Sequence, residues 1–394
     1  MRPLVAIVAL FTSVASGQFP TFKAQEIDRS LKIGYGVIVV DLNADQNPDI
    51  VVADKERVIW FENPTWTLRV ITEGTTKPDN VCIDAHDIDG DGQLDLALGA
   101  GWQPGNTKDA STLQWLRRGK TLEEPWEMYP IAYDEPTLHR MRFADLDGSG
   151  RKVLVTVPLQ GRGATKEKNW AEAGVKIQLH RIPADPTKRE WPAEMIDASL
   201  HVPHNFQVRD TGEIIVASYE GVSRLEKGSP WKVTAIGEGN QSNPAGNRGS
   251  SEIKQGRLKD GGAFIATIEP WHGHEVVVYA RAEGTTDWKR QVIDDQLRWG
   301  HAVWCADFDG DKGDEIIAGV RDPLPGKAQS GVRIYRAIDD DGTKWTKSEL
   351  DPGGVAVEDL AVADLNADGK PDIVAVGRKT GNVKIYWNEG TRRP

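Results

Sequence analysis

Two families of short repeats interleave along the chain, and no other feature restricts the fold as tightly. The first is acidic: DLNADQNPDIVVA (41–53), DIDGDGQLDLALG (87–99), DLDGSGRKVLVT (145–156), DFDGDKGDEIIAG (307–319) and DLNADGKPDIVAVG (364–377). Each is an Asp-rich turn running into an apolar strand. Degenerate copies, RDTGEIIVAS (209–218) and RLKDGGAFIAT (257–267), fill the gap. The second family has the form W-x-x-x-x-[ILV]-x: WTLRVIT (66–72), WEMYPIA (126–132), WPAEMID (191–197), WKVTAIG (231–237), WKRQVID (288–294) and WTKSELD (345–351), with FKAQEID (22–28) as a seventh copy. Between the two lies a third run, such as VIWFEN (58–63), LQWLRR (113–118), VRIYRA (332–337) or VKIYWN (383–388).

Each unit therefore has four strands. Strand A enters the acidic turn, B leaves it, C is the aromatic-rich run and D the Trp run. Seven copies predict an all-β, seven-bladed β-propeller of four-stranded blades. The chain ends on a C run and begins with an orphan D run. The N-terminal strand is thus expected to complete the last blade and close the ring, which would otherwise leave a bare sheet edge.

The start, MRPLVAIVALFTSVASGQ, reads as an export leader. Arg2 is the positive end, Leu4–Phe11 the apolar run, and Ala15 and Gly17 a small-x-small cleavage pattern before Gln18. The expectation is a leader over 1–17 and a single propeller domain over 18–394, exported to the periplasm or beyond. No run is apolar for long enough to span a membrane. A net charge of −11 argues against a nucleic-acid partner. Cys82 and Cys305 fall in strands three blades apart and are expected as buried free thiols.

The acidic turns place oxygen ligands on alternate residues, which suits a hard cation such as Ca²⁺. Complete sets are Asp41/Asn43/Asp45/Asp49, Asp87/Asp89/Asp91/Asp95, Asp307/Asp309/Asp311/Glu315 and Asp364/Asn366/Asp368/Asp372. They belong to blades one, two, six and seven, neighbours across the closure, so the ions are expected to stiffen that seam. The alternative is metal-free Asx turns. These repeats resemble the FG-GAP/VCBS repeats of integrin α-chain propellers and of many secreted bacterial proteins. The resemblance implies the fold; such propellers serve both adhesion and catalysis.

Aligning the A strands on the first acidic residue brings out a second pattern. Six positions ahead stand His301, His139 and His204, and in the other units Glu358, Tyr35, Ser251 and Val81. This is the start of the innermost strand, so the seven positions form a ring at one mouth of the central channel, opposite the acidic turns. The B–C loops return to the same mouth with Trp102, Gln160, Arg162, Glu269, Trp271, His272, His274, Arg321 and Arg378. A lone histidine here would fill the channel; three at one equivalent place, with two more beside them, point to a site. His201 is a further candidate member, while His86 and His180 are expected to be structural.

Imidazoles with a carboxylate can hold a borderline metal, Zn²⁺ or Mn²⁺, and His204, His272, His274, His301 and Glu358 are the expected ligands. A neutral histidine, His139 or His204, can instead take a proton from carbon, with Arg321 or a metal steadying the enolate. Tyr35, Trp102, Gln160, Arg162, Trp271 and Arg378 are the expected substrate contacts. The histidine-lined mouth is similar to that of carbohydrate lyases, and HRMRFADLDGSG (139–150) and the unit at 301 most resemble the propeller domain of the aldos-2-ulose dehydratases. The resemblance implies a lyase or dehydratase acting on a keto-sugar or uronide. The cupin and lectin-like parts of those enzymes have no counterpart in this sequence. The other readings are a non-catalytic propeller binding glycan or protein, and a hydrolase of oxidised sugars.

Overall fold

A computed structural model describes residues 19–122, 124–281, 285, 287–322 and 330–391. The expected leader, 1–17, lies outside the described residues. Among the described residues, twenty-eight strands form seven four-stranded antiparallel sheets, six of them running A-B-C-D in chain order. In the seventh, Val357–Ala363, Asp372–Gly377 and Val383–Gly390 are joined by the N-terminal strand Thr21–Asp28. That strand pairs antiparallel with Val383–Gly390, Phe22 opposite Asn388 and Gln25 opposite Ile385. The ring closes as the repeat order predicts.

Burial follows the repeat chemistry. The B strands lie between neighbouring blades and read as continuous apolar runs, because both their faces are covered. Asp49–Ala53 and Asp372–Gly377 are buried throughout. The D strands form the rim, and Thr67–Glu73 is largely exposed. At the closing seam, Ile50, Val52 and Phe61 of blade one pack with Val374, Val376 and Ile385 of blade seven.

The last acid of each complete turn is buried and acts as a clamp. Asp49 accepts from the Leu42 and Asn63 amides at 3.0 and 2.9 Å. Asp95 does the same for Ile88 and Arg118, and Asp372 for Leu365 and Asn388. Glu315 accepts from Phe308 at 2.8 Å. The turns are also stitched to the next blade. Asn63 Nδ2 donates to Leu365 O (2.7 Å), Asn388 Nδ2 to Phe308 O (2.9 Å) and Arg118 Nη1 to Leu42 O (2.6 Å). Buried carbonyls that leave the ladders need such partners. Both cysteines are free; Cys82 is buried and Cys305 half-buried.

Candidate functional site: a histidine cluster at the channel mouth

Three of the ring positions sit in β-bulges. His139 falls between Leu138, opposite Pro158, and Arg140, opposite Val157. His301 falls between Gly300 and Ala302, opposite Val320 and Gly319. Glu358 falls between Val357 and Asp359, opposite Gly377 and Val376. A bulge leaves one residue without a ladder partner and re-aims its side chain. The same device at the same place in blades three, six and seven delivers these side chains to the mouth. His204 reaches it just ahead of strand Asn205–Val208, its amide donating to Ala217 O at 3.0 Å. His272 arrives on the B–C turn of blade five at a left-handed φ of 49°, its ring stacked on Trp271 at 3.8 Å.

The Nδ1 atoms of the bulge histidines are occupied by the neighbouring blade. His139 Nδ1 is 2.9 Å from His204 O, and His301 Nδ1 is 2.6 Å from Glu358 O. A carbonyl can only accept, so each Nδ1 carries the proton and each Nε2 is left as a lone pair. His204 Nδ1 lies 2.6 Å from Glu252 Oε1. That contact is out of line for a hydrogen bond, and both atoms otherwise lack a partner among the described residues. Glu252 is itself held by Asn205 Nδ2 at 2.6 Å. On the other side, His204 Nε2 and His272 Nε2 are 2.8 Å apart.

The result is a convergence: His204, His272 and His301 each offer a ring nitrogen, all within 4.8 Å of one another. Neutral imidazoles with their second nitrogen held by a carbonyl or carboxylate are the usual dress of metal-binding histidines. Burial pushes all four of His139, His204, His272 and His301 well below the usual histidine range, and Arg140 and Arg321 push the same way. They are uncharged at neutral pH, the form that can bind a metal or accept a proton.

The other expected members divide. His274 is not brought into the convergence: it stands on the solvent side of the His272 turn, its side chain 45% exposed. Nor is the Glu358 carboxylate, which is taken by cations, Arg378 Nη1 at 2.8 Å and Arg321 Nη1 at 3.7 Å. Glu358 serves the site through its backbone oxygen on His301 and by anchoring the two arginines. Arg321 also bonds Asp322 at 3.0 Å. Trp102 is at the site, its ring centroid 5.0 Å from that of His139. Trp271 walls it from the other side, edge-on to His204 at 5.5 Å. Tyr35 is buried, its hydroxyl donating to Asp79 at 2.7 Å and its ring covered by Arg378. Gln160 and Arg162 hold loops instead: Gln160 Oε1 accepts from the Gly105 amide, and Arg162 Nη1 donates to Lys108 O. Glu269 ends its strand buried and bonded to Tyr279 and Arg290. His201 pairs with Glu220 at 2.9 Å. His86 packs on Phe143, and His180 bonds Thr156.

Two members escaped the sequence reading, Glu252 and Arg140. The repeat alignment put Ser251 in the ring, and the residue that meets His204 is its neighbour. Arg140 follows His139; it is 5% exposed, its Nη1 donates to His139 O at 3.1 Å and stands 3.5 Å from His139 Nε2, and its Nη2 has no partner among the described residues. A buried acid and a buried arginine in a channel-lining strand were the available signal.

On the opposite face, three carboxylates converge within 4.8 Å in two turns, Asp87/Asp89/Asp95 and Asp307/Asp309/Asp311. This corrects the expected sets of four. Asp91 is not brought into the blade-two convergence. It is exposed, and its two oxygens accept from the Gln93 amide at 2.9 Å and Gln93 Nε2 at 3.3 Å, which hold the side chain on its own turn. Glu315 of blade six is likewise outside its set, buried as the clamp on Phe308. In blades one and seven an asparagine takes the second place, and no group of three carboxylates converges there among the described residues. Asn43 Oδ1 accepts from the Asp45 amide at 3.0 Å, and its Nδ2 donates to Asp45 Oδ2 at 3.1 Å. Asn366 is exposed, its Oδ1 accepting from the Asp368 amide at 3.1 Å. Asp89 and Asp309 close the same Asx turns in blades two and six, so Asn43 and Asn366 differ from them in carrying no charge to draw a cation in.

Burial raises the buried acids of these turns. With the neighbouring acids it pushes Asp49 and Asp309 up to about 6, burial and Asp89 do the same to Asp95, and Glu315 rises to about 9. Basic side chains lean on the same turns: Arg117 on Asp89 at 2.8 Å, Lys370 on Asp368 at 2.7 Å, and Lys259 on Asp311.

Comparison with known proteins places this architecture. Residues 110–282 match the model of the aldos-2-ulose dehydratase β-propeller domain, and residues 41–98 and 307–375 match FG-GAP-like repeats. Aldos-2-ulose dehydratase of Phanerodontia chrysosporium is 25% identical over 287 residues, 65% of this chain. The alignment covers 31% of that enzyme's length. Among solved structures, virginiamycin B lyase from Staphylococcus aureus superposes with a TM-score of 0.55 at 10% identity, over 93% of this chain and 99% of that one. A chain of the mitotic checkpoint complex gives 0.56 at 12% identity, over 99% of each. At such identities these likenesses show the fold alone. The chain is a seven-bladed β-propeller, similar to FG-GAP-like repeats in its first, second, sixth and seventh blades and to the propeller domain of aldos-2-ulose dehydratase through its middle blades.

Proposed function

We propose that the protein is a carbohydrate lyase of dehydratase type, eliminating across a carbon–carbon bond next to the carbonyl of a keto-sugar or uronide. The observation that carries this is the convergence of His204, His272 and His301 beside a fourth, separately held histidine. The three fit a transition metal, Zn²⁺ or Mn²⁺, which would polarise the carbonyl oxygen and so acidify the adjacent C–H. His139 is the base. Its Nδ1–H is fixed on His204 O, which leaves Nε2 unprotonated, with Arg140 Nη1 3.5 Å away. The C–H electron pair forms the new double bond as the proton passes to His139. The β-oxygen leaves with its bonding pair and takes a proton back, departing as water or an alcohol. Arg140, with Nη2 free beside His139, neutralises the charge that develops on oxygen; Arg321 adds to the field. Trp102 and Trp271 offer apolar faces to a sugar ring, and the Trp271 Nε1 has no partner among the described residues.

The test is a screen of metal-loaded protein against keto-sugars and uronides, reading the ultraviolet absorbance of an unsaturated product. Turnover that disappears on chelation supports the reading. A metal-bound protein that binds sugars and turns none over would make it a binding propeller. Glu252→Gln keeps the shape of the His204 support and removes its charge, and is expected to weaken metal affinity about 10- to 100-fold. Competition against a chromogenic chelator measures this, and an unchanged affinity would remove Glu252 from the site.

The two turns with converging carboxylates, in blades two and six, are proposed as calcium sites that brace the blades flanking the seam. Asp95 and Asp309 are raised in the folded chain, so without a cation their contribution to stability is full below about pH 4 and is lost as pH rises through about 6. Calcium offsets that loss. Its upward shift of Tm is expected to be several degrees at pH 7.5 and much smaller at pH 5. Thermal melts with calcium and with chelator at both pH values check this; equal shifts would refute it. Export is proposed from the leader, and the N-terminal sequence of the secreted protein is expected to start at Gln18.

A further inference from the structure

A second cavity opens on the same face as the histidines, between the loops of blades two and three. It measures about 510 Å³ and is lined by Lys77, Gln103, Asn106, Lys108, Asp109 and Thr137, among others. That is within the range of roughly 300–1,000 Å³ found for small-ligand sites. It is next door to the chemistry. Thr137 is two residues from His139, and Gln103 follows Trp102, whose ring lies against His139.

Its walls are stitched in place. Thr107 Oγ1 donates to Ala164 O at 2.8 Å, the Gly163 amide to Thr107 O at 3.1 Å, Arg162 Nη1 to Lys108 O at 2.7 Å, and the Gly105 amide to Gln160 Oε1 at 2.8 Å. These bonds join the B–C loop of blade two to that of blade three. A loop held this way loses little freedom when a ligand arrives. Gln160 and Arg162 therefore build the cavity and do not reach into the histidine cluster.

The lining chemistry is polar and unbalanced in sign. Lys77 and Lys108 are exposed, and neither forms an ion pair among the described residues. The one lining acid, Asp109, already accepts from Asn106 Nδ2 at 3.1 Å. In a chain of net charge −11, a built wall with two ammonium groups against one carboxylate is a local exception. We infer that this cavity is an accessory subsite for an anionic sugar ring, so that the substrate is an acidic saccharide of at least two rings, one at the histidines and a carboxylate- or sulfate-bearing one between Lys77 and Lys108. The inference rests on the lyase reading for the identity of the first ring, and on the cavity alone for the charge of the second.

The experiment compares binding of cellobiouronic acid and neutral cellobiose by calorimetry at low salt. The proteins are wild type, Lys77→Gln/Lys108→Gln and His204→Ala/His301→Ala, each checked for its fold by circular dichroism and Tm. Wild type is expected to prefer the acid by roughly fivefold or more, and to lose much of that preference in high salt. The lysine variant is expected to bind the two probes equally. The histidine variant is expected to keep the charge preference even where both affinities fall. A preference that survives in the folded lysine variant, or that is absent in wild type, overturns the inference. Failure of the lyase reading shows separately, as absence of turnover, and leaves the charge preference in place.

Discussion

Wild type is expected to be purified with a transition metal at about one per chain, and protein carrying His204→Ala and His301→Ala without it, while calcium content is the same in both. Two of the three converging nitrogens are then gone, and a single imidazole does not retain a borderline metal against dialysis. Turnover falls to background with it. The substitutions also delete an Nδ1 bond to the neighbouring blade, so melting curves accompany the metal analysis. A folded variant that kept its metal would show that the metal sits elsewhere. Metal absent from wild type as well would leave the histidines as a metal-free site, and His139 as its base.

His139→Gln is expected to behave differently. His139 stands outside the converging set, so the metal stays. The base is lost, and kcat is expected to fall by about 10²–10⁴. Glutamine can still donate to His204 O and preserves much of the packing against Trp102. Steady-state rates on whichever sugar gives an unsaturated product, with metal content measured on the same sample, decide it. A loss of only a few-fold would move the base to another residue. A loss of metal would make His139 a ligand and leave the proton without an acceptor in this scheme.

Much of the fold was legible in the sequence because its repeats report strand order directly. Acidic turn, apolar B run and Trp run recur in phase, and the orphan FKAQEID fixed where the ring closes. The histidine ring was legible for the same reason: in-phase positions of a propeller meet at its axis. What the repeat logic could not supply was side-chain choice at each ring position. Glu358 occupies the ring, and its carboxylate turns to Arg378 and Arg321, because two guanidinium groups compete for it. His274 lies two residues from His272 on one tight turn and faces the other way. Glu252 supports His204 from one residue past the ring position, where a period-based alignment assigns no role. The acidic turns carry the same lesson. Spacing alone treats Asp91 as equal to Asp87, Asp89 and Asp95, yet only the last three bring their carboxylates together, and it does not register that Asn43 and Asn366 carry no charge. The bulges at His139, His301 and Glu358 were invisible too, since the ring position stands six residues before the acidic turn in bulged and unbulged units alike.

The closing strand has a consequence for the order of events in the life of the chain. Among the described strands, Thr21–Asp28 is made first and its partner, Val383–Gly390, last. Phe22 also packs edge-on to Phe308 of blade six, at 5.8 Å between ring centroids. No nascent chain can seal the circle, however many blades it has formed, until Val383–Gly390 has been made. The two strands thus act as one latch: Thr21–Asp28 must be held in reserve through the synthesis of every other blade. Anything that disturbs the latch bears on blade seven, whose Glu358 carbonyl holds the ring of His301.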